Sequence, residues 1–347
     1  MNIWQKFYTR MNLDKTNKSY KVALIIFLLV LLAICITLSI CIGSTHIPLS
    51  KIIESIKNRD STGNNYRIIR YVRLPRTFAA ALAGCAFSVS GAIMQSVLNN
   101  ALASPNVIGV NSGAGLFTVL LVAFFPSSLH LTPIAAFTGA MIAVFIVYFI
   151  AKQTKASRMA IVLSGVAVSS FIGAIIDTVL TLKPDVAISR TAFLIGGFSG
   201  VTMREISLAS ILILIALCLS FILSYDMNIL ALGDESAKSL GLNVTSIRFF
   251  CLVLAAVLAG SAISFSGLLG FVGLIIPHLS RSLVGYDNRI LLPVTALFGA
   301  IFTLMSDLLA RVLFAPYEIP VGIIMSFLGA PFFIYLLIKG KRGQLYD

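Results

Sequence analysis

The chain has 347 residues, 58% of them hydrophobic and 11% charged, with a mean hydropathy of +0.98 and a formal net charge of +13. That apolar content lies far above the roughly 45–50% usual in soluble domains, which excludes a water-soluble fold and points to an all-α polytopic membrane protein. Lys and Arg fall mainly in short loops beside apolar runs, where they set membrane orientation, so the positive charge implies no nucleic acid.

A spanning helix needs about 20 mostly apolar residues, and the sequence predicts ten of them, near 22–42, 75–98, 107–125, 132–151, 159–181, 206–224, 245–266, 268–284, 291–314 and 320–338. They form a single transmembrane domain over 1–347. The first, from Val22 to Gly43, follows Lys6, Arg10, Lys15, Lys18 and Lys21. It is longer than a signal-peptide core and has no small-residue cleavage pattern, so it reads as a retained helix behind a cytoplasmic segment, 1–21.

"YVRLPRTFAAALAGC", Tyr71 to Cys85, opens the second helix. Pro75 suits a first helical turn, which would fix Arg73 and Arg76 at the external rim. With both termini cytoplasmic, fifteen Lys and Arg lie inside and eleven outside, and seven of those eleven fall within 51–76. Snorkelling at a helix end accounts for one such arginine, but less well for Arg67, Arg70, Arg73 and Arg76 together. Something other than topology therefore keeps positive charge at this rim.

"MQSVLNNALASPNVIGVNSGAG", Met94 to Gly115, joins the second and third helices. Asn99, Asn100, Ser104, Pro105 and Asn106 make a turn, while Gly109, Gly113 and Gly115 permit close packing. Gln95 and Asn111 either line a polar pathway or satisfy one another. In the fifth helix Asp177 is an embedded acid without an evident partner. Such a residue marks a functional position by default.

The most polar internal stretch is "SYDMNILALGDESAKSLGLNVTSIR", Ser224 to Arg248. Asp226 is expected to cap a short helix ended by Gly233, and Asp234 a second ended by Gly241, with Lys238 in the last turn. Ile229, Leu230 and Leu232 would face water unless a cytoplasmic partner covers them, although a plain ordered connector is equally open. No Walker A pattern occurs, so ATP could drive this chain only through a separate nucleotidase.

"AALAGCAFSVSGAI" (Ala80 to Ile93) and "AVLAGSAISFSGLL" (Ala256 to Leu269) match at 8 of 14 positions with an offset of 176. Five crossings separate them, so the second and seventh helices run in opposite directions, as in the inverted repeats of many transporters. The eighth helix is short and contains Pro277, which suits a kinked or re-entrant segment buried among its neighbours. In the ninth, Asp307 and Arg311 stand four apart and share a face, with Glu318 near the outer end. Cys35, Cys41, Cys85, Cys218 and Cys251 sit in apolar segments without CxxC spacing, and His46, His130 and His278 are scattered. Neither set suggests a metal site.

Four blocks, "RLPRTFAAALAGCAFSVSGAIMQSVLNNALASPNVIGVNSGAG", "LGDESAKSLGLNV", "GLLGFVGLIIPHLSR" and "SDLLARVLFAPYEIPVGIIMSFLGAPFFIYLL", together resemble the hallmarks of the FecCD family over residues 73–336. These are permease subunits of type II ABC importers for iron-siderophore, haem or vitamin B12. Ala101, where relatives often have proline, is a local departure. The resemblance implies a vitamin-B12-permease-like fold in a bacterial cytoplasmic membrane, paired with a second permease copy or a paralogue. It also implies two cytoplasmic ABC ATPases and an extracytoplasmic substrate-binding protein, with no cofactor or metal held by this chain.

By the same resemblance Arg73, Arg76 and Arg311 would accept the binding protein's acids. Asp226, Leu230, Leu232, Asp234, Glu235, Lys238 and Leu240, within coupling helices at 226–241, would receive the ATPase stroke. Gln95, Asn111, Ser164, Asp177 and Ser199 are pathway candidates. A ferric-siderophore-type chelate is the expected cargo, haem or cobalamin the alternative, and an ion-coupled secondary transporter the rival class. The chain itself is expected to catalyse no reaction.

Overall fold

The computed structural model describes residues 18–43, 64–153 and 157–340. The expected cytoplasmic segment up to residue 17, and His46, Lys51, Lys57 and Arg59, lie outside the described residues. Seven helices are long and apolar enough to cross a membrane, and three shorter apolar helices complete the expected ten.

In chain order, α1 (Lys18–Cys41) is followed by α2 (Asn64–Ile68), a π-helical turn (Ile69–Arg73) and α3 (Leu74–Leu98). Pro75 falls in the first turn of α3, as expected, although the chain is already helical upstream. Proline lacks an N–H, and the widened turn absorbs the loss by closing Leu74 N–H on the Ile69 carbonyl, five residues back. Asn99, at φ +48°, ends α3.

After a 3-10 turn (Pro105–Ile108) come α4 (Val110–Phe124), a second 3-10 segment (Pro126–Leu131), α5 (Thr132–Gln153) and α6 (Arg158–Leu182). Ser157 caps α6 by accepting from Ala160 N–H. A short helix that the sequence did not announce, α7 (Val186–Ile195), precedes α8 (Met203–Ile222). Thr202 and Glu205 begin α8 with a reciprocal capping box.

Next come α9 (Ser224–Ala231) and α10 (Asp234–Ser239), then α11 (Val244–Ser266), α12 (Val272–Val284), α13 (Asn288–Val312) and α14 (Val321–Gly340). The eighth span is helical only from Val272, and residues 267–271 form a non-helical entry packed inside the bundle. The irregular stretch thus precedes the span, and α12 continues as helix through Pro277 instead of breaking there.

Helix α3 is the centre of the bundle, packed against α13, α11 and α12. Small residues bring the backbones together: a Cβ on Gly84 would lie 2.2 Å from the Gly299 carbonyl oxygen, and one on Gly91 would lie 1.9 Å from that of Gly273. Without a hydrophobic drive between helices in lipid, such close packing is the main adhesive. Ser90 Oγ adds a bond across to the Ala255 carbonyl on α11 at 2.6 Å.

The repeat is visible in this packing. The second helix of the first half (α3) lies against the fourth of the second half (α13), and its counterpart α11 lies against α5, the fourth of the first. Helices α3 and α13 are antiparallel, with polar contacts closing both ends of the pair.

Candidate functional site

Two polar centres sit at opposite ends of the α3–α13 pair. At the first, the carboxylate of Asp307, fully buried on α13, is shared by two arginines. Arg76 Nε lies 3.1 Å from both of its oxygens and Arg76 Nη2 3.0 Å from Oδ1, while Arg311 Nε approaches Oδ2 at 3.1 Å. Arg76 Nη1 also pairs with Glu318 Oε2 at 2.5 Å, and that side chain is 32% exposed.

Helix α1 supplies the remaining acceptors. Arg73 Nη1 donates to the carbonyls of Ile40 (2.6 Å) and Cys41 (2.8 Å), and Arg311 Nη1 to that of Ser39 (3.1 Å). Ser39 Oγ accepts from Arg311 Nη2 at 2.8 Å and bonds Thr77 Oγ1 at 2.9 Å. Guanidinium groups suit the C-terminal end of a helix, where carbonyls carry partial negative charge.

Arg73, Arg76 and Arg311 are therefore 4%, 6% and 2% exposed, and do not lie open at a rim as the sequence suggested. The π-helical turn resets the helical face, so that Arg73 and Arg76 turn inward while Arg67 and Arg70 stay exposed. The sequence identifies the Asp307–Arg311 pair but misses Arg76, which no spacing signals across some 230 residues, and with it the contact to Glu318.

At the other end, α9 and α10 form a compact platform. Leu230 is fully buried with Ala237 and Val244 in a small apolar cluster, so it is not the exposed contact that its place in a polar loop suggests. Leu232 and Leu240, by contrast, are 64% and 63% exposed, and Glu235 and Lys238 are exposed beside them. Asp226 lies half-buried inside the first turn of α9 and makes no cap there, nor does Asp234 cap α10. The glycines do serve as expected: Gly233 and Gly241 have φ +104° and +83°, and Leu242 N–H closes α10 on the Ala237 carbonyl at 3.0 Å.

The Asp234 carboxylate instead accepts from Arg248 Nη2 (2.7 Å) and pairs with Arg158 Nη2 (3.1 Å), bridging the starts of α11 and α6. Partial burial pushes this carboxyl up, but the hydrogen bond and charge of Arg248, with Arg158 and Lys238, outweigh that and hold it below the ordinary carboxylate range. A depressed folded-state pKa contributes stability above the unfolded value of about 3.9, lost only as pH falls through the lower folded value. The bridge is therefore intact at neutral pH.

The pathway candidates separate. Gln95 is buried and donates to the Gly273 carbonyl at 3.2 Å while accepting from Arg281, so it clasps α3 to α12. Ser164 is buried within α6. Asn111 lines a cavity of about 700 Å³ between α4, α7, the 267–271 entry and α14, with Leu268, Gly270, Gly322 and Ser326. Ser199 lines a second, of about 310 Å³, with Gly197, Glu205 and Ser266. Asp177 is exposed on α6.

A family model described as the FecCD transport family matches residues 31–339. The chain is 36% identical over 333 residues to the iron(3+)-hydroxamate import system permease protein FhuB of Bacillus subtilis, covering 94% of this chain and 86% of that protein. It is 34% identical to the Fe(3+) dicitrate transport system permease protein FecD of Escherichia coli, covering 92% and 99%. Identity is also 34% with the hemin transport system permease protein HmuU of Yersinia pestis, covering 92% and 96%. A solved structure described as a metal-chelate type ABC transporter in an inward-facing conformation aligns with TM-score 0.80 at 29% identity, covering 91% of this chain and 98% of that one.

Proposed function

The chain belongs to the FecCD transport family of ABC-importer permease subunits, and from that premise we propose that it moves a ferric-siderophore-type chelate inward across the cytoplasmic membrane. Iron hydroxamate and ferric citrate in the names of its relatives support that cargo class. The ion-coupled carrier weighed from the sequence does not fit a family of ATP-driven permeases.

In this reading two permeases, a second copy or a paralogue, enclose the pathway, and the platform end and both termini face the cytoplasm. Two ATPases dock on α9 and α10, and a binding protein delivers the chelate at the arginine end. Arg73 and Arg311 are held by α1 carbonyls, whereas the Glu318 partner of Arg76 is partly exposed. The binding protein's acidic residue therefore gains Arg76 by exchange with Glu318. The chain breaks no bond: it offers two conformations, biased by ATP on one side and by the loaded binding protein on the other.

The exposed face of Leu232, Glu235, Lys238 and Leu240 on an otherwise closed platform carries this reading, because a solvated connector has no use for two large apolar side chains in water. Leu232→Asp with Lys238→Glu is expected to lower ATP-driven uptake by about tenfold or more, as loss of an interface hot spot does, at unchanged membrane levels. Unchanged uptake would contradict ATPase docking there.

A further inference from the structure

We propose that the slot between α4, α5 and α6 binds one acyl chain of an anionic phospholipid, drawn from the membrane leaflet on the platform side, with the headgroup at segment 152–158. The site is independent of the cargo and of ATPase docking.

The slot follows from how the three helices meet. Helices α4 and α5 touch backbone to backbone: a Cβ on Gly113 would lie 2.2 Å from the Gly139 carbonyl oxygen, and one on Gly139 would lie 2.2 Å from that of Gly113. Helix α6 is held elsewhere, at Gly165, where a Cβ would lie 1.8 Å from the Val107 carbonyl oxygen. Beyond that contact a cavity of about 430 Å³ stays open, walled by Leu116 and Phe117 of α4, Ile142, Ile146 and Ile150 of α5, and Phe171 of α6. Every residue lining it is apolar or glycine.

At membrane depth such a space has one suitable filling. Cavities without polar partners stay dry, and an empty one costs its walls their dispersion contacts, so hydrocarbon is the remaining medium. Along α5 the slot runs from Gly139 to Ile150, about 16 Å at 1.5 Å per residue. That is half of the ~30 Å hydrocarbon core, the depth of one leaflet. Spread over this length, a volume of about 430 Å³ gives a cross-section of about 26 Å². A helix 10–12 Å across needs about 80–110 Å², so a helix of a second copy does not fit inside. A slot about 5–6 Å wide admits a single chain of methylenes at ordinary carbon–carbon separations of about 3.5–4.0 Å.

The ends of the slot choose the leaflet. Ile150 lies three residues from Gln153, the end of α5, whereas Gly139 lies seven residues inside Thr132, its start. The nearer end is the platform end, since Arg158, the first residue of α6, donates from Nη2 to the Leu230 carbonyl of α9 at 3.1 Å. Between the two helices the sequence 152–158 carries Lys152, Lys155 and Arg158 and no acid. Basic segments beside a membrane span attract anionic headgroups, so the chain that enters here belongs to an anionic lipid.

The test uses the full chain in phosphatidylcholine vesicles, with its single tryptophan, Trp4, changed to Phe. A reporter is placed in the slot as Phe171→Trp, or on the open face of α1 as Val30→Trp. Both positions are exposed, at 69% and 55%, and stand thirteen and twelve residues from the platform-side ends of their helices. Ile175→Trp replaces the slot reporter if Phe171→Trp fails to insert. Phosphatidylglycerol with brominated acyl chains, which quench tryptophan on contact, is then titrated in. Half-maximal quenching in the slot is expected at about fivefold lower mole fraction than on α1, the factor that about one basic residue near the surface supplies. Ala167→Leu, which narrows the slot from its exposed wall, and Lys152→Gln with Lys155→Gln are each expected to bring the two fractions together. A difference that survives the lysine changes overturns the headgroup contact. Equal fractions in the parent report only the surrounding bilayer and overturn the proposal. A slot reporter that stays unquenched while the α1 reporter responds overturns it as well, since the slot is then covered by a second copy.

Discussion

Asp307→Ala is expected to destabilise the protein by about 3–5 kcal/mol, the cost of removing one partner from a buried charge pair. The carboxylate is fully buried and shared between Arg76 and Arg311, which are 6% and 2% exposed. Its loss leaves Arg311 with α1 carbonyls and Arg76 with Glu318 alone. Glu318→Gln is the internal comparison. That side chain is 32% exposed, and ion pairs open to solvent contribute only about 0–1 kcal/mol. Thermal inactivation of the detergent-purified protein would check both. If Asp307→Ala costs no more than Glu318→Gln, the cluster is not what holds α3, α13 and α1 together.

Gly91→Val is expected to be of similar severity, above about 3 kcal/mol, at the upper end of overpacking costs. Its Cβ would lie 1.9 Å from the Gly273 carbonyl oxygen, and backbone cannot move aside as a flexible side chain can. Helices α3 and α12 would have to separate, which also pulls Gln95 from its bond to the Gly273 carbonyl. At Gly115 a Cβ would meet only Ile176 Cδ1, at 3.8 Å. Gly115→Ala should therefore be neutral or stabilise by up to about 1 kcal/mol, since alanine is favoured in a helix interior. The two melting temperatures, measured side by side, decide whether close backbone approach at Gly91 is required.

Much of this architecture is legible in the sequence because its causes are local. Apolar length gives the ten spans, and the four-residue step from Asp307 to Arg311 gives one ion pair. The aligned glycines and serines of α3 and α11 also announce the repeat, which appears in the packing as an exchange of fourth helices. What escapes the sequence depends on residues far apart in the chain. Arg73 and Arg76 look like rim charges until α1 supplies carbonyls and α13 an aspartate. Leu230 looks exposed until Ala237 and Val244 close over it. Asp234 looks like a cap until Arg158 and Arg248 claim its carboxylate. Gln95 shows no partner of its own until α12 brings Arg281 to it.

These differences share a direction. Polar side chains near the membrane boundary that the sequence offers to partners are partly spent within the chain, and the surfaces left for partners are smaller. On the platform, Leu232, Glu235, Lys238 and Leu240 are the candidate contacts that stay exposed. At the opposite end, Glu318 beside Arg76 is partly exposed while the three arginines are buried.

The most direct test of the account is uptake of a radiolabelled ferric hydroxamate into vesicles containing this chain with its ATPase and its binding protein. The account predicts accumulation that requires ATP and all three components and persists when the proton gradient is collapsed. Accumulation driven by a proton gradient without ATP would contradict it.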